Sequence, residues 1–222
     1  MPVSLTIIKY PRRYIFFALS AMGLFRLPLW INKSISFYKL MGTGKNGTFD
    51  KHPDWKQWAI LAVHSDDLTE LPSVSDMYGK FIAAWFRLFK CEIKTYLLEP
   101  LEGHGSWDHK KPFGDVFIPQ LHEGPIAVLT RATIKLSKLK YFWAHVAPVA
   151  ARMTEAKGFI QSYGIGEVPW IKQATFSIWE SKEHMKAFAY GMKEHVEVIK
   201  KTRQQKWYSE ELFVRFRITK QV

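Results

Sequence analysis

The sequence predicts an α+β fold, two ferredoxin-like βαββαβ repeats fused in one chain to form a dimeric-α/β-barrel-type domain. Three observations point there. The order of elements inferred from hydrophobic periodicity recurs after Pro125; two stretches of one half align with two of the other; and a glycine- and proline-rich connector lies between them. The halves are residues 1–100 and 125–222, the second carrying the candidate site, with 101–124 as the connecting loop.

In the first half, residues 3–9 are rich in β-branched and aliphatic side chains and read as a strand. Residues 13–27 read as a core helix ended by Pro28, and 34–41 as a strand closed by Gly42 and Gly44. Trp58–Val63 is a second apolar run. Residues 67–90 supply a helix, with Pro72 near its start and a stripe of Met77, Phe81, Ala84, Trp85 and Leu88; residues 91–98 return as a strand. The second half repeats the plan with strand 126–135, helix 139–156, strands 158–164 and 172–179, helix 182–206 and strand 211–219. Phe37-Tyr-Lys-Leu-Met-Gly-Thr-Gly44 aligns with Phe159-Ile-Gln-Ser-Tyr-Gly-Ile-Gly166, and the run from Gln57 to Ser65 with that from Gln173 to Ser181. The connector holds Gly103, Gly105, Pro112, Gly114 and Pro119 and shows no period, so it is predicted to cross between the halves as a loop.

Composition narrows the function. With 222 residues, 47% of them hydrophobic and 15% aromatic, the chain can bury a full core. The net charge of +12 attracts phosphate-bearing partners, but the basic residues are scattered and no recognition motif accompanies them, which argues against nucleic acid. A single cysteine, Cys91, excludes an intrachain disulfide and a CxxC metal site, and its strand position reads as structural. Tyr14–Phe25 resembles the apolar part of a signal sequence after Arg12 and Arg13. Arg26 follows without a cleavage site, and the run is shorter than the roughly 20 residues a bilayer requires.

The candidate chemistry lies in helix 182–206. Met185, Phe188, Ala189, Met192, Val196 and Ile199 recur at steps of three and four and define its apolar face, on which His195 also falls. Burying an unpaired imidazole costs about 1–3 kcal/mol, and a metal would satisfy it. His145, within Phe142-Trp-Ala-His-Val-Ala, is the strongest competitor. His184, His104 and His109 read as solvent or loop histidines. On the strand 126–135, alternation places Arg131 on the face of Ala127, Leu129 and Thr133, and an interior arginine demands an anion. A buried Asp or Glu fits as well as a bound group. Gln161, Tyr163, Thr175 and Ser177 are further polar residues on neighbouring strands.

Three stretches carry a resemblance to a known family. They are Ile35–Gly44 with Trp58–Ala62; Gly124-Pro-Ile-Ala-Val-Leu-Thr-Arg-Ala-Thr-Ile134; and Phe176-Ser-Ile-Trp179 running through Phe188-Ala-Tyr190, His195 and Trp207-Tyr-Ser-Glu-Glu-Leu212. Together they resemble the spheroidene monooxygenase family, within the dimeric α/β barrel group. The resemblance implies haem b, with its iron, and dioxygen, with electrons from a ferredoxin or reductase. The implied substrate is an acyclic carotenoid or similar lipophilic molecule that gains a keto group. Haem aldoxime dehydratases and chlorite dismutase-like proteins share the barrel. The Phe188, Ala189 and His195 pattern is similar to the aldoxime dehydratase proximal helix, which makes His195 the implied iron ligand, with Phe188 and Met192 against the cofactor.

If haem is bound, a propionate or an iron-bound oxygen species is an anion that would serve Arg131, which makes it a candidate distal catalytic or propionate-binding group. A different haem reaction, aldoxime dehydratase-like or peroxidase-like, and a cofactor-free barrel binding a hydrophobic small molecule are the alternatives. A carotenoid substrate implies reversible contact between a cytoplasmic protein and an anionic membrane, through the basic surplus, the N-terminal helix, Trp30, Trp55 and Trp107. A homo-oligomer is compatible with all of these readings.

Overall fold

In the computed structural model, which describes residues 1–45, 49–65, 72–114, 122–191, 201, 202 and 204–222 with the side chains of 146–151 left aside, eight antiparallel strands close a barrel. They are β1 (Val3–Lys9), β2 (Ile35–Gly44), β3 (Pro53–His64), β4 (Glu92–Gly105), β5 (Ile126–Ile134), β6 (Phe159–Val168), β7 (Lys172–Trp179) and β8 (Tyr208–Gln221). Around the barrel the order is β1-β3-β2-β6-β7-β5-β8-β4. Each half supplies four strands in the order last-first-third-second, and the halves join edge to edge through β2 with β6 and β4 with β8. Closure leaves neither half with an unpaired edge, which is why the two repeats form one barrel.

Alternation along the strands divides the side chains into two sets. Val3, Leu5 and Ile7 of β1, Ala59, Leu61 and Val63 of β3, Ala127 and Leu129 of β5, and Leu212, Val214 and Phe216 of β8 fill the barrel interior. The opposite faces carry the helices: α1 (Ile15–Leu24), α2 (Arg26–Ile31), α3 (Val74–Tyr78) and α4 (Lys80–Leu88) in the first half, and α5 (Leu139–Met153) and α6 (Lys182–Gly191) in the second.

The connector differs from expectation. Its first five residues extend β4, and Gly103 and Gly105 are strand residues pressed against β8: a Cβ on Gly103 would meet the Phe213 carbonyl oxygen at 2.5 Å, and one on Gly105 the Glu211 oxygen at 2.1 Å. Beyond them the chain turns inward and seats Trp107 and Phe113 among the interior side chains. Trp107 is therefore barrel core and leaves the set of interfacial tryptophans, whereas Trp30 and Trp55 are exposed. The remainder of the connector, 115–121, lies outside the described residues.

The N-terminal helix is also corrected. It divides into α1 and α2, with Pro28 in the first turn of α2, where a missing N–H removes no helical bond. Only Ala18, Ala21, Phe25 and Leu29 are buried, a narrow stripe against β3 and α4, so this is a surface helix. Of the predicted helix 67–90, residues 67–71 lie outside the described residues; α3 starts at a capping box in which the Ser73 hydroxyl accepts from the Asp76 N–H and the Asp76 carboxylate from the Ser73 N–H, and Gly79 (φ 91°) separates α3 from α4. Cys91 is half-buried, and burial pushes its thiol up to about 12, so it is an inert side chain.

Beneath α3 a polar network crosses the outer face of the first half. The His64 Nε2 lies 2.8 Å from the Ser4 hydroxyl, the Tyr78 hydroxyl donates to Ser4 at 3.0 Å, and Thr6 joins Tyr78 at 2.6 Å and Thr95 at 2.9 Å. Burial pushes the His64 pKa down to about 4, so the folded protein holds the ring neutral. The stability due to the neutral ring is complete above the unfolded value near 6.5 and lost as pH falls towards 4, by about 3 kcal/mol in all. Urea unfolding at pH 7 and pH 4.5 measures this: the loss between them is expected to be smaller in His64→Gln than in the parent.

Candidate functional site

Two polar constellations are built around β5, β7 and β8, one inside the barrel and one outside. Arg131 belongs to the inner one. It follows Ala127 and Leu129 on the inward face of β5 and is 1% exposed. Its Nη1 donates to Glu210, and its Nη2 to Asp108 and Glu167 at 3.4 Å each, with the guanidinium 5.5 Å from the centre of the Trp107 ring. Lys39 pairs with Asp108 and, at 2.8 Å, with Glu167; Lys172 reaches Asp108 at 2.7 Å. The Trp107 indole donates to Glu167 at 2.7 Å.

These contacts set the carboxylates' ionisation. Burial opposes the charge on Glu210, but the His109 N–H, the Ser106 hydroxyl and Arg131 outweigh it and hold the carboxyl at about 2. Burial likewise opposes the charge on Asp108, and Lys172 and Lys39 hold it at about 2. Both contributions to stability persist above the ordinary carboxylate range and are lost as pH falls towards 2, below the window in which His64 titrates. The anion that Arg131 requires is thus supplied by the protein's own carboxylates. Of the two alternatives for Arg131, the ion pair with protein carboxylates is the one present, and it fastens the connector to β5; Arg131 is also among the residues that line the cavity of the outer constellation.

The outer constellation is a cavity of about 550 Å³ between the outward faces of β5, β7 and β8 and the helices α5 and α6. Val128, Thr130 and Ala132 line it from β5, Thr175, Ser177 and Trp179 from β7, and Phe213 and Arg215 from β8. Alternation directs all of these away from the barrel core. Phe142 and Met153 of α5, and Met185, Phe188, Ala189 and Tyr190 of α6, close the other side. The Phe188 ring lies 5.2 Å from that of Trp179, fixing α6 on the sheet. Phe188 is therefore where the helical stripe places it, on the cavity wall. Met192 and His195 lie outside the described residues. The stretches on either side of them reach the cavity, through Tyr190 before and Thr202 after.

Arg215 is the site residue that reading β5 in isolation overlooks. It pairs with Glu102, which also takes Lys182 at 2.7 Å, and its guanidinium carbon stands 5.1 Å from the centre of the Phe213 ring. Burial pushes its pKa down, and its Nε–H has no partner among the described residues. The signal was present in the sequence: Leu212, Val214 and Phe216 alternate with Phe213, Arg215 and Arg217, which assigns Arg215 to the face opposite the core.

The other candidates separate cleanly. Thr175 and Ser177 line the cavity, but Gln161 and Tyr163 point into the barrel, where they join Tyr96 at 3.1 and 3.2 Å. His104 lies at the cavity rim with its ring 5.5 Å from that of Phe213. His145 is off the cavity wall, its Nδ1 2.8 Å from the Tyr141 carbonyl oxygen and its ring 5.5 Å from Trp207. His184 sits against Gly158 with Nδ1 3.6 Å from Glu180, and His109 is exposed.

Comparison with known proteins follows the same outline. A spheroidene monooxygenase of Rhodobacter capsulatus is 35% identical over 202 residues, 90% of this chain and 82% of that protein. One from Cereibacter sphaeroides is 38% identical over 183 residues, 82% of this chain but 55% of the relative, so the chain spans about half the length of that protein. One from Rubrivivax gelatinosus is 32% identical over 182 residues, covering 81% of this chain and 67% of the relative. No family model matches. Among solved structures, an aldoxime dehydratase has the same fold, with a TM-score of 0.58 over 98% of this chain and 80% of that one at 8% identity.

Proposed function

Because the chain belongs to the spheroidene monooxygenase family, we propose that it is a haem-dependent monooxygenase that introduces a keto group into an acyclic carotenoid or similar lipophilic molecule. The observation that carries the reading is the cavity between α6 and the outer sheet face. Its volume is in the range of cofactor and small-molecule sites, and its walls combine aromatic and apolar side chains with a few polar groups.

The residues present fit a porphyrin. Phe142, Met153, Trp179, Met185 and Phe188 provide a dry, polarisable lining, and the buried Nε–H of Arg215, lacking a partner among the described residues, is a donor suited to a carboxylate. His195 would hold the iron, with Phe188 and Met192 against the ring. Bound haem would supply oxygen activation with electrons from a ferredoxin or reductase.

The remaining work falls to the chain's own side chains. The apolar walls exclude water and accept a polyene. The Thr130, Thr175 and Ser177 hydroxyls line the cavity and would offer hydrogen bonds to a bound oxygen-containing group, a role that would matter more with an imidazole ligand than with a thiolate, because imidazole pushes less electron density onto iron. Arg215 and Glu102 form a paired charge at the wall. We place the protein at the cytoplasmic side of a membrane, in peripheral contact with it.

The test is direct. Purified protein reconstituted with haem is expected to show a Soret band and, with a reductase system and dioxygen, to convert an acyclic carotenoid to its keto product. Turnover of small aldoximes without dioxygen would move the function to a dehydratase, and the absence of a Soret band would leave a cofactor-free binding protein. Thr130→Trp fills the cavity from a side chain outside the barrel core. It is expected to weaken haem retention by at least about tenfold while leaving the melting temperature nearly unchanged, since it creates neither a core void nor core overpacking.

A further inference from the structure

We infer that α1 and α2, together with α4, form a docking surface for an anionic lipid bilayer, lying in the plane of the interface. This rests on the proposed peripheral membrane contact and assigns the surface that makes it; it stands apart from the proposed reaction, since the surface is on the first half of the barrel and the cavity is walled chiefly by the second. Arg12–Ile31 is 20 residues long and apolar enough by composition to cross a membrane, yet only 22% of its apolar window is buried. Phe16 is 73% exposed, Leu27 63% and Trp30 74%, with Leu19, Leu24 and Ile31 also open to solvent. α4 adjoins them through Phe17 stacked on Phe89 at 4.4 Å and Phe25 edge-on to Phe81 at 6.4 Å, and adds exposed Phe81 and Leu88, seven residues apart on one helical face. Apolar exposure on this scale marks an interaction site.

Charge decides what covers it. Arg12, Arg13, Arg26 and Lys33 flank or interrupt the first segment and Lys80, Arg87 and Lys90 the second. All are exposed, and neither 10–35 nor 77–91 contains an acidic residue. A second copy meeting this surface about a two-fold axis would set arginines against arginines, whereas an anionic leaflet complements them. The orientation follows from packing. Ala18, Ala21, Phe25 and Leu29 hold one stripe of the helix along the barrel, so its exposed side can enter the acyl boundary while the axis stays parallel to the surface. Trp30, at the end of α2, suits the headgroup layer.

Cosedimentation of the full chain with vesicles tests this without haem or turnover. Binding is expected to vesicles of mixed phosphatidylcholine and phosphatidylglycerol, to weaken at least about tenfold between low and high salt, and to be poor with phosphatidylcholine alone. The Phe16→Ser, Leu27→Ser, Trp30→Ser variant is expected to lose binding while keeping its melting temperature and its haem affinity. Arg12→Gln, Arg13→Gln, Arg26→Gln is expected to lose only the preference for anionic lipid. Bound protein is expected to be released at high pH, as an interfacial helix is. Equal binding to both vesicle types, no binding to either, resistance to alkaline extraction, or a dimer in solution that the serine variant dissociates would each overturn the proposal.

Discussion

His195→Ala is expected to abolish retention of haem, whereas His145→Ala and His184→Ala retain it. The expectation joins three observations. In the sequence, His195 continues the spacing of Met185, Phe188 and Ala189, which line the cavity. The described residues on both sides of its segment line that cavity. The two competing histidines are engaged elsewhere, His145 with the Tyr141 carbonyl and Trp207, and His184 with Glu180. Loss of an axial ligand is expected to exceed the roughly 10- to 100-fold effects that accompany loss of mere supporting contacts. The measurement is Soret absorbance per protein after reconstitution and desalting. In His195→Gly, added imidazole is expected to restore a band, separating a missing ligand from a damaged fold. Equal retention in His195→Ala and His145→Ala would refute the assignment.

Arg131→Met is expected to destabilise the fold by about 3–5 kcal/mol, the usual consequence of removing one member of a buried ionic network and leaving its partners behind. Glu210 and Glu167 would keep their burial and lose their arginine, and the connector anchored by Trp107, Asp108 and His109 would lose its fastening to β5. For a chain of this size the melting temperature should fall by roughly 10 °C. The double variant Arg131→Met, Glu210→Gln is expected to recover part of the loss, because it removes a stranded charge. Haem affinity at a temperature where the variant is folded is expected to match the parent's. A variant of normal stability with impaired haem binding would instead restore the distal role that the sequence suggested.

The fold could be read from the sequence because barrel strands with one face in a core alternate, and their boundaries fall at turns. β1 at 3–9 and β7 at 172–179 are where the hydrophobic pattern puts them, and α5 and α6 start where predicted. The apolar stripe of α6 likewise identified Phe188 as a wall residue. Alternation also established that Arg131 and Ala127 share a face, and it contained the placement of Arg215.

What the pattern lacks is the sign of each face and the identity of what lies across it. Both faces of this barrel wall are partly apolar, one filled by the interior and the other covered by helices, so period-two spacing separates two sets without saying which meets a cavity. Only closure of the sheet puts Glu210, Glu167 and Asp108, which come from β8, β6 and the connector, around Arg131. The same closure turns Gly103 and Gly105 from loop markers into strand glycines against β8. Trp107 and the N-terminal helix exchange their expected environments for a related reason. Hydrophobicity records how strongly a segment avoids water, but the neighbours that remove it from water are set by chain topology. The connector finds room inside the barrel, while α1 and α2 find cover for one stripe only and leave Phe16, Leu27 and Trp30 in solvent.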